Sequence, residues 1–300
     1  MESTVPQVAT TALINISFAW VVGVLATRFW LMRQTAAWQP TVDKRLALAM
    51  SLGLIACIAG IFLSLWTESA MMGDVAWLDA WPAFVQMMTT THYGHAGVAA
   101  MAFLVIALLV HLLRSRQVAS KTYLAILGVL LLLVAAARVT IGHAYEHGPF
   151  SVAVTVEWLH LVLMALWAGI VLVAGWLVLP RALAGDSRPN GEVAAYLTTM
   201  SDWAGVALMG ILATGAYNAY RVLGSPRQLI EVDYGQVLAS KLCLVVIAIA
   251  FGGFNKFVGL PGATSQRGLR TVITVLRIES VALLLVLIAA AVLTGSAPPG

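Results

Sequence analysis

Two pairs of residues at i, i+3 spacing carry the first chemical signal in this sequence: His92 with His95, and Glu157 with His160. On a helix that spacing puts both side chains on one face, about 4.5 Å apart along the axis. Imidazole is the commonest metal ligand and suits copper, zinc, iron and nickel. A His-x-x-His pair facing a Glu-x-x-His pair can supply three or four ligands to one ion. His143 and His147 stand in the segment that leads to Glu157 and add two more donors. Soft donors are near as well. Met87 and Met88 precede His92 by about a turn, Met164 follows His160 by a turn, and Met71 and Met72 lie in the loop upstream. Thioether and imidazole together favour Cu(I) over hard cations.

Other readings of the same residues stay open. The pairs also fit a buried polar network, and methionine commonly fills apolar gaps. One His from each of two facing helices is what b-type haem ligation requires, so His92 or His95 with His160 gives the alternative of a haem-binding membrane oxidoreductase; a third reading is a non-catalytic metallo-assembly factor that lends its site to a partner enzyme. Thr214, Tyr217 and Asn218 read either as partners that orient imidazoles or as interhelical hydrogen bonders. Arg138 is expected to pair with Glu146 or Glu157. His111, beside Arg114, reads as an interfacial group, and Cys57 and Cys243 read as core residues without a disulfide framework.

The elements that must position these groups follow from composition. Of the 300 residues 61% are hydrophobic and only 10% charged, and the mean hydropathy is +0.92. One soluble core cannot hide that much apolar surface, so lipid must cover most of it. Apolar runs fall near residues 9–31, 45–66, 83–113, 121–141, 151–179, 194–223, 235–258 and 271–294. The expectation is an all-α polytopic membrane protein of about eight transmembrane helices in a single domain, 1–300. Basic residues gather in alternate connections (Arg28, Arg33, Lys44 and Arg45; Arg114, Arg116 and Lys121; Arg181 and Arg188; Lys256, Arg267, Arg270 and Arg277). Basic loops stay cytoplasmic, which places both termini outside, in the periplasm of a bacterial cell. The same distribution speaks for topology and against nucleic-acid binding. The first six residues carry no base and read as a short tail into the first span, not as a cleavable signal. No phosphate-binding loop appears, so ATP hydrolysis within the chain is not expected. His92 and His95 are expected well inside the third span, at the depth of Glu157 and His160 in the fifth. The inner half of the bundle shows few polar groups, which favours a slow carrier or handover site over an open channel.

Several stretches, taken in order, resemble the CopD/PcoD copper-resistance membrane proteins. They are Thr91-His-Tyr93-Gly94, Gly142-His143-Ala144, Glu157-Trp-Leu-His160-Leu, Ala165-Leu-Trp167-Ala-Gly169, Thr214-Gly215-Ala-Tyr-Asn218, Tyr234-Gly235 with Lys241, and Asn255. They span roughly residues 80–260. The resemblance implies a non-enzymatic copper-homeostasis protein of the bacterial inner membrane that moves copper, as Cu(I) or Cu(II), inward from the periplasm. A small periplasmic copper carrier resembling CopC is the implied partner. The family positions it carries over are His143, His160, Trp167, Tyr234, Gly235 and Lys241. The ligand role of His92 and His95 rests on their spacing alone.

Overall fold

Apolar runs without internal breakers become helices, because in lipid each backbone polar group must be satisfied within its own segment. The computed structural model describes residues 5–32, 36–114, 120–142, 145, 148, 150–185, 191–222 and 227–296. Its elements are α1 (Val5–Trp30), α2 (Gln39–Met72), a 3-10 turn (Trp77–Asp79), α3 (Trp81–Thr90), α4 (His92–Arg114), α5 (Lys121–Val139), α6 (Val152–Val173), α7 (Leu179–Gly185), α8 (Gly191–Val222), α9 (Gln228–Glu231), α10 (Asp233–Phe254), α11 (Leu260–Gly262) and α12 (Gln266–Gly295). No strand occurs among the described residues. A π-helical turn at Ala174–Val178 joins α6 to α7, and another at Asn255–Gly259 joins α10 to α11. Seven of the described helices are long and apolar enough to cross a membrane. α8 equals them in length at 32 residues but carries Asp202, Thr214, Tyr217, Asn218 and Arg221. The protein is an all-α polytopic membrane protein.

Two boundaries differ from those the sequence suggests. α2 continues through Met72, so Met71 and Met72 form its last turn and are not loop residues. The apolar run 83–113 is not one span: it breaks at Thr91, whose backbone is extended (φ −110°, ψ 148°). The Thr91 hydroxyl accepts from Gly94 N at 3.0 Å and donates to Met87 O at 2.8 Å, capping α4 while holding the end of α3. The bend is tight enough that a Cβ on Gly94 would strike the Met87 carbonyl. The same device recurs twice. Val232 is extended ahead of α10, and a Cβ on Gly235 would strike Gln228 O. Ser265 caps α12, and a Cβ on Gly268 would strike Gly262 O. The Tyr93-Gly94 and Tyr234-Gly235 motifs are therefore helix elbows.

The bundle closes around α1 and α6. Small residues four apart on each, Ala19 and Gly23 against Ala165 and Gly169, let the two backbones touch. A Cβ on Gly23 would overlap the Gly169 backbone, and one on Gly169 would overlap Ala19 O. Around this crossing the chain packs as two similar halves. α1 lies on α2 and α5 as α6 lies on α8 and α12; α4 pairs with α5 as α10 pairs with α12; α1 reaches α12 as α6 reaches α5. One contact lacks its counterpart. α2 packs on α4, whereas α8 and α10 are not packed together along their length.

The first half also holds a buried polar chain. Arg28, at 1% exposure, is a core residue of α1 and not a loop cation. It donates to Asp43 (Nε to Oδ1, 2.9 Å) and to the Tyr123 hydroxyl (3.1 Å). His111 is likewise buried, which corrects its interfacial reading. Its Nε2–H donates to Ala47 O at 2.9 Å, which leaves Nδ1 as the acceptor for the Tyr123 O–H. The chain thus runs one way, from Arg28 through Tyr123 and His111 to a carbonyl of α2.

Two predictions come from this packing. Gly169→Ala, which forces α1 and α6 apart, lowers stability by at least about 1–3 kcal/mol, read from unfolding in detergent. Asp43→Ala leaves the Arg28 charge buried without its carboxylate and costs about 3–5 kcal/mol in the same measurement.

Candidate functional site

Glu157 and His160 lie in the second and third turns of α6, about 8–12 Å along the axis from its start. Both are partly buried and both lean on α8. Asn218 donates to Glu157 Oε2 at 2.6 Å, and Thr214 Oγ1 meets His160 Nδ1 at 2.8 Å. The same hydroxyl donates to Gly210 O, one turn back on α8, at 2.7 Å. A hydroxyl has one hydrogen, so with that hydrogen on Gly210 the ring must donate from Nδ1. His160 Nε2 is then the nitrogen with a free lone pair. Gly215 leaves room for the ring: a Cβ there would come within 3.4 Å of His160 Cε1. α10 completes the cluster. Lys241 and, from α8, Arg221 are near enough to act electrostatically on Glu157; Lys241 acts on His160 and Glu157 on Tyr234. α10 is packed along its length on neither α6 nor α8, so Lys241 and Tyr234 act on the α6–α8 pair across a separation. Across it, further along both helices, Lys256 reaches Asp202 at 3.7 Å in an exposed and therefore weak ion pair.

His92 and His95 are elsewhere. α4 packs on α2, α3 and α5, while α6 packs on α1, α5, α8 and α12; α4 and α6 are not packed against each other. The structure therefore does not bring the two i, i+3 pairs together, nor His92 or His95 opposite His160 as a shared haem would need. Nor do three His, Cys, Asp or Glu groups come together as a metal site anywhere among the described residues. The physical reason is the glycine crossing, which seats α1 against α6 and puts α4 on the far side of α2 and α5. Both histidines are exposed, in the first turn after the Thr91 elbow and not deep in a span. His95 Nε2 contacts Thr89 O at 3.2 Å, and His92 stacks on Tyr145 with ring centroids 4.4 Å apart. His143, Glu146 and His147 lie outside the described residues.

The thioethers divide too. Met87 and Met164 are buried in the core, Met88 packs against it, Met71 is partly buried, and Met72 is exposed. Cys57 is buried on Ser17 Oγ at 3.2 Å, and Cys243 is exposed. Arg138 does not pair with Glu157; it donates to Asn15 Oδ1 at 2.7 Å.

Sequence reasoning missed one buried group entirely. Glu279, in the middle of α12, is 2% exposed, with Trp167 of α6 and Asn255 within reach. It corrects the expectation of an inner bundle poor in polar groups. An acid inside an apolar span was the available signal.

An α-helical multi-pass membrane protein with an ionisable cluster shared by three helices is the class that fold and site define. Residues 194–293 match the family model described as Copper resistance protein D, CopD. The match covers α8, α10 and α12, with Thr214, Asn218, Lys241, Asn255 and Glu279 among its residues, and it supports the CopD resemblance carried by the sequence motifs. No curated protein and no solved structure gives a significant match.

The hydrogen-bond logic is testable by itself. Nitrogen NMR of the histidine-labelled protein finds His160 in the Nδ1–H tautomer, and Thr214→Val abolishes that preference while leaving His111 unchanged.

Proposed function

We propose that this protein binds copper within the bilayer and carries it across the bacterial inner membrane from the periplasm, as part of copper resistance. In this reading both termini are periplasmic, copper is cargo and not a catalytic cofactor, and a CopC-like carrier delivers it. His160 is the central ligand, through Nε2, with Glu157 beside it and Met164 one turn deeper. His92, His95, His143, His147, Met71 and Met72 belong to capture at the outer face, while Met87, buried in the core, and Met88, packed against it, serve packing. The His92–Tyr145 stack favours this assignment, because His143 and His147 flank Tyr145 in the sequence.

The observation that carries the reading is the held imidazole. Thr214 fixes one ring nitrogen, which leaves the other available to an ion. The carboxylate one turn earlier is held in turn by Asn218. The match over α8, α10 and α12 to CopD, a family described by copper resistance, supports copper as the metal. Lys241 is a cation beside the site and opposes permanent occupancy by another cation, which suits a site that must release its cargo.

Metal analysis of the purified protein decides. Wild type is expected to retain copper, His160→Ala to lose it, and Thr214→Val to bind about 10–100-fold more weakly, as for the loss of an orienting partner. Undiminished copper in His160→Ala overturns the reading.

A further inference from the structure

Two turns beyond His160 on the same helix, the Trp167 indole reaches a different polar centre. Glu279 of α12 is 2% exposed, and Asn255, which begins the second π-helical turn, is 3% exposed. The Asn255 amide lies within reach of the Glu279 carboxyl, yet neither its nitrogen nor its oxygen completes a hydrogen bond. An amide left unsatisfied at that depth is costly and rare. The backbone around the pair is cleared for it. A Cβ on Gly252 would sit 3.2 Å from Glu279 Oε1, and one on Gly259 would sit 2.9 Å from Asn255 Oδ1. Gly252, Asn255 and Gly259 fall at i, i+3 and i+7, one face of the α10 helix and its continuation. π-turns occur frequently at functional sites.

No cation among the described residues balances Glu279. Among the charged groups on elements packed against α12, Arg28 is held by Asp43, Lys256 is exposed and faces Asp202, and Glu157 and His160 are held by α8. Lys241 acts on Glu157, while Asp233 and Arg181 are exposed. On α12 itself Arg267 and Arg270 are exposed, and Arg277 donates to Gly175 O at 3.1 Å. None of these acts on Glu279. A buried carboxylate without a counter-charge holds a proton or ejects itself to water, and the helix leaves it no route out.

We propose that Glu279 is a proton-binding site of the membrane interior, with Asn255 as its positioning partner. A proton from the aqueous medium adds to the carboxylate to give the neutral acid and leaves by the reverse step; no electron or other group moves. Asn255 serves both states, since its oxygen accepts the acid O–H and its N–H group, with the Trp167 N–H, donates to the carboxylate. An amide committed at either end could not do this. The site is independent of the copper reading and uses none of its ligands.

Infrared spectroscopy of the full-length protein in lipid nanodiscs tests it. At neutral pH the wild type shows the D2O-sensitive carbonyl stretch of an undissociated carboxylic acid. Glu279→Gln removes that component and Glu157→Gln leaves it. A wild type without the band, or a band that survives Glu279→Gln, overturns the proposal. Asn255→Ala keeps the acid but shifts its stretch upward through loss of the partner. This second variant carries the test if Glu279→Gln does not fold, and an unmoved band overturns the role of Asn255.

Discussion

The contact on which the architecture depends is backbone against backbone at the α1–α6 crossing. Lipid tails are as apolar as leucine side chains, so helices in a bilayer gain little from hiding apolar surface from one another. Close van der Waals approach must hold them instead. Gly23 and Gly169 bring it about by having no side chain at the point of contact. With those two helices fixed, the remaining helices arrange themselves as two similar groups on either side. The positions of α4 and α8 follow, and with them the separation of His92 from His160.

The halves use their polar residues differently. In the first, Arg28, Asp43, Tyr123 and His111 are consumed in one directed chain that links α1, α2, α4 and α5. Each link of that chain has a defined donor and acceptor, so the network rigidifies the half that contains it. In the second half, the polar groups are less fully matched. His160 keeps a free nitrogen, Asn255 keeps both ends of its amide, and α8 stands off from α10. The incompletely matched polar groups thus gather in the second half, of which α8, α10 and α12 fall within the CopD match.

Much of this was legible in the residues. Span lengths and apolar content give the all-helical membrane bundle directly, and the Glu157–His160 spacing with Thr214 and Asn218 anticipates the α6–α8 contacts. The failures have physical causes. Hydropathy averages over the Thr91 elbow, because threonine and glycine interrupt an apolar run without making it polar. The capping pattern of Thr91 with Gly94 is the local sign of the break. His111 sits near a helix end beside Arg114, so only tertiary packing distinguishes a core residue from an interfacial one. Which helices face each other was not legible. It turns on two glycines whose effect is the absence of atoms, and apolar periodicity does not register that.

The gap between α8 and α10 has a consequence for any ion that pauses there. A tunnel walled by protein on all sides sets the ion's surroundings by itself. A slot between two loosely associated helices shares that task with the neighbouring acyl chains, whose packing varies with membrane composition and temperature. The energetic penalty of leaving water at Glu157 and His160 is then partly a property of the bilayer. On the proposed copper reading, the same polypeptide in thin, fluid or sterol-stiffened membranes would hold the ion with different tenacity.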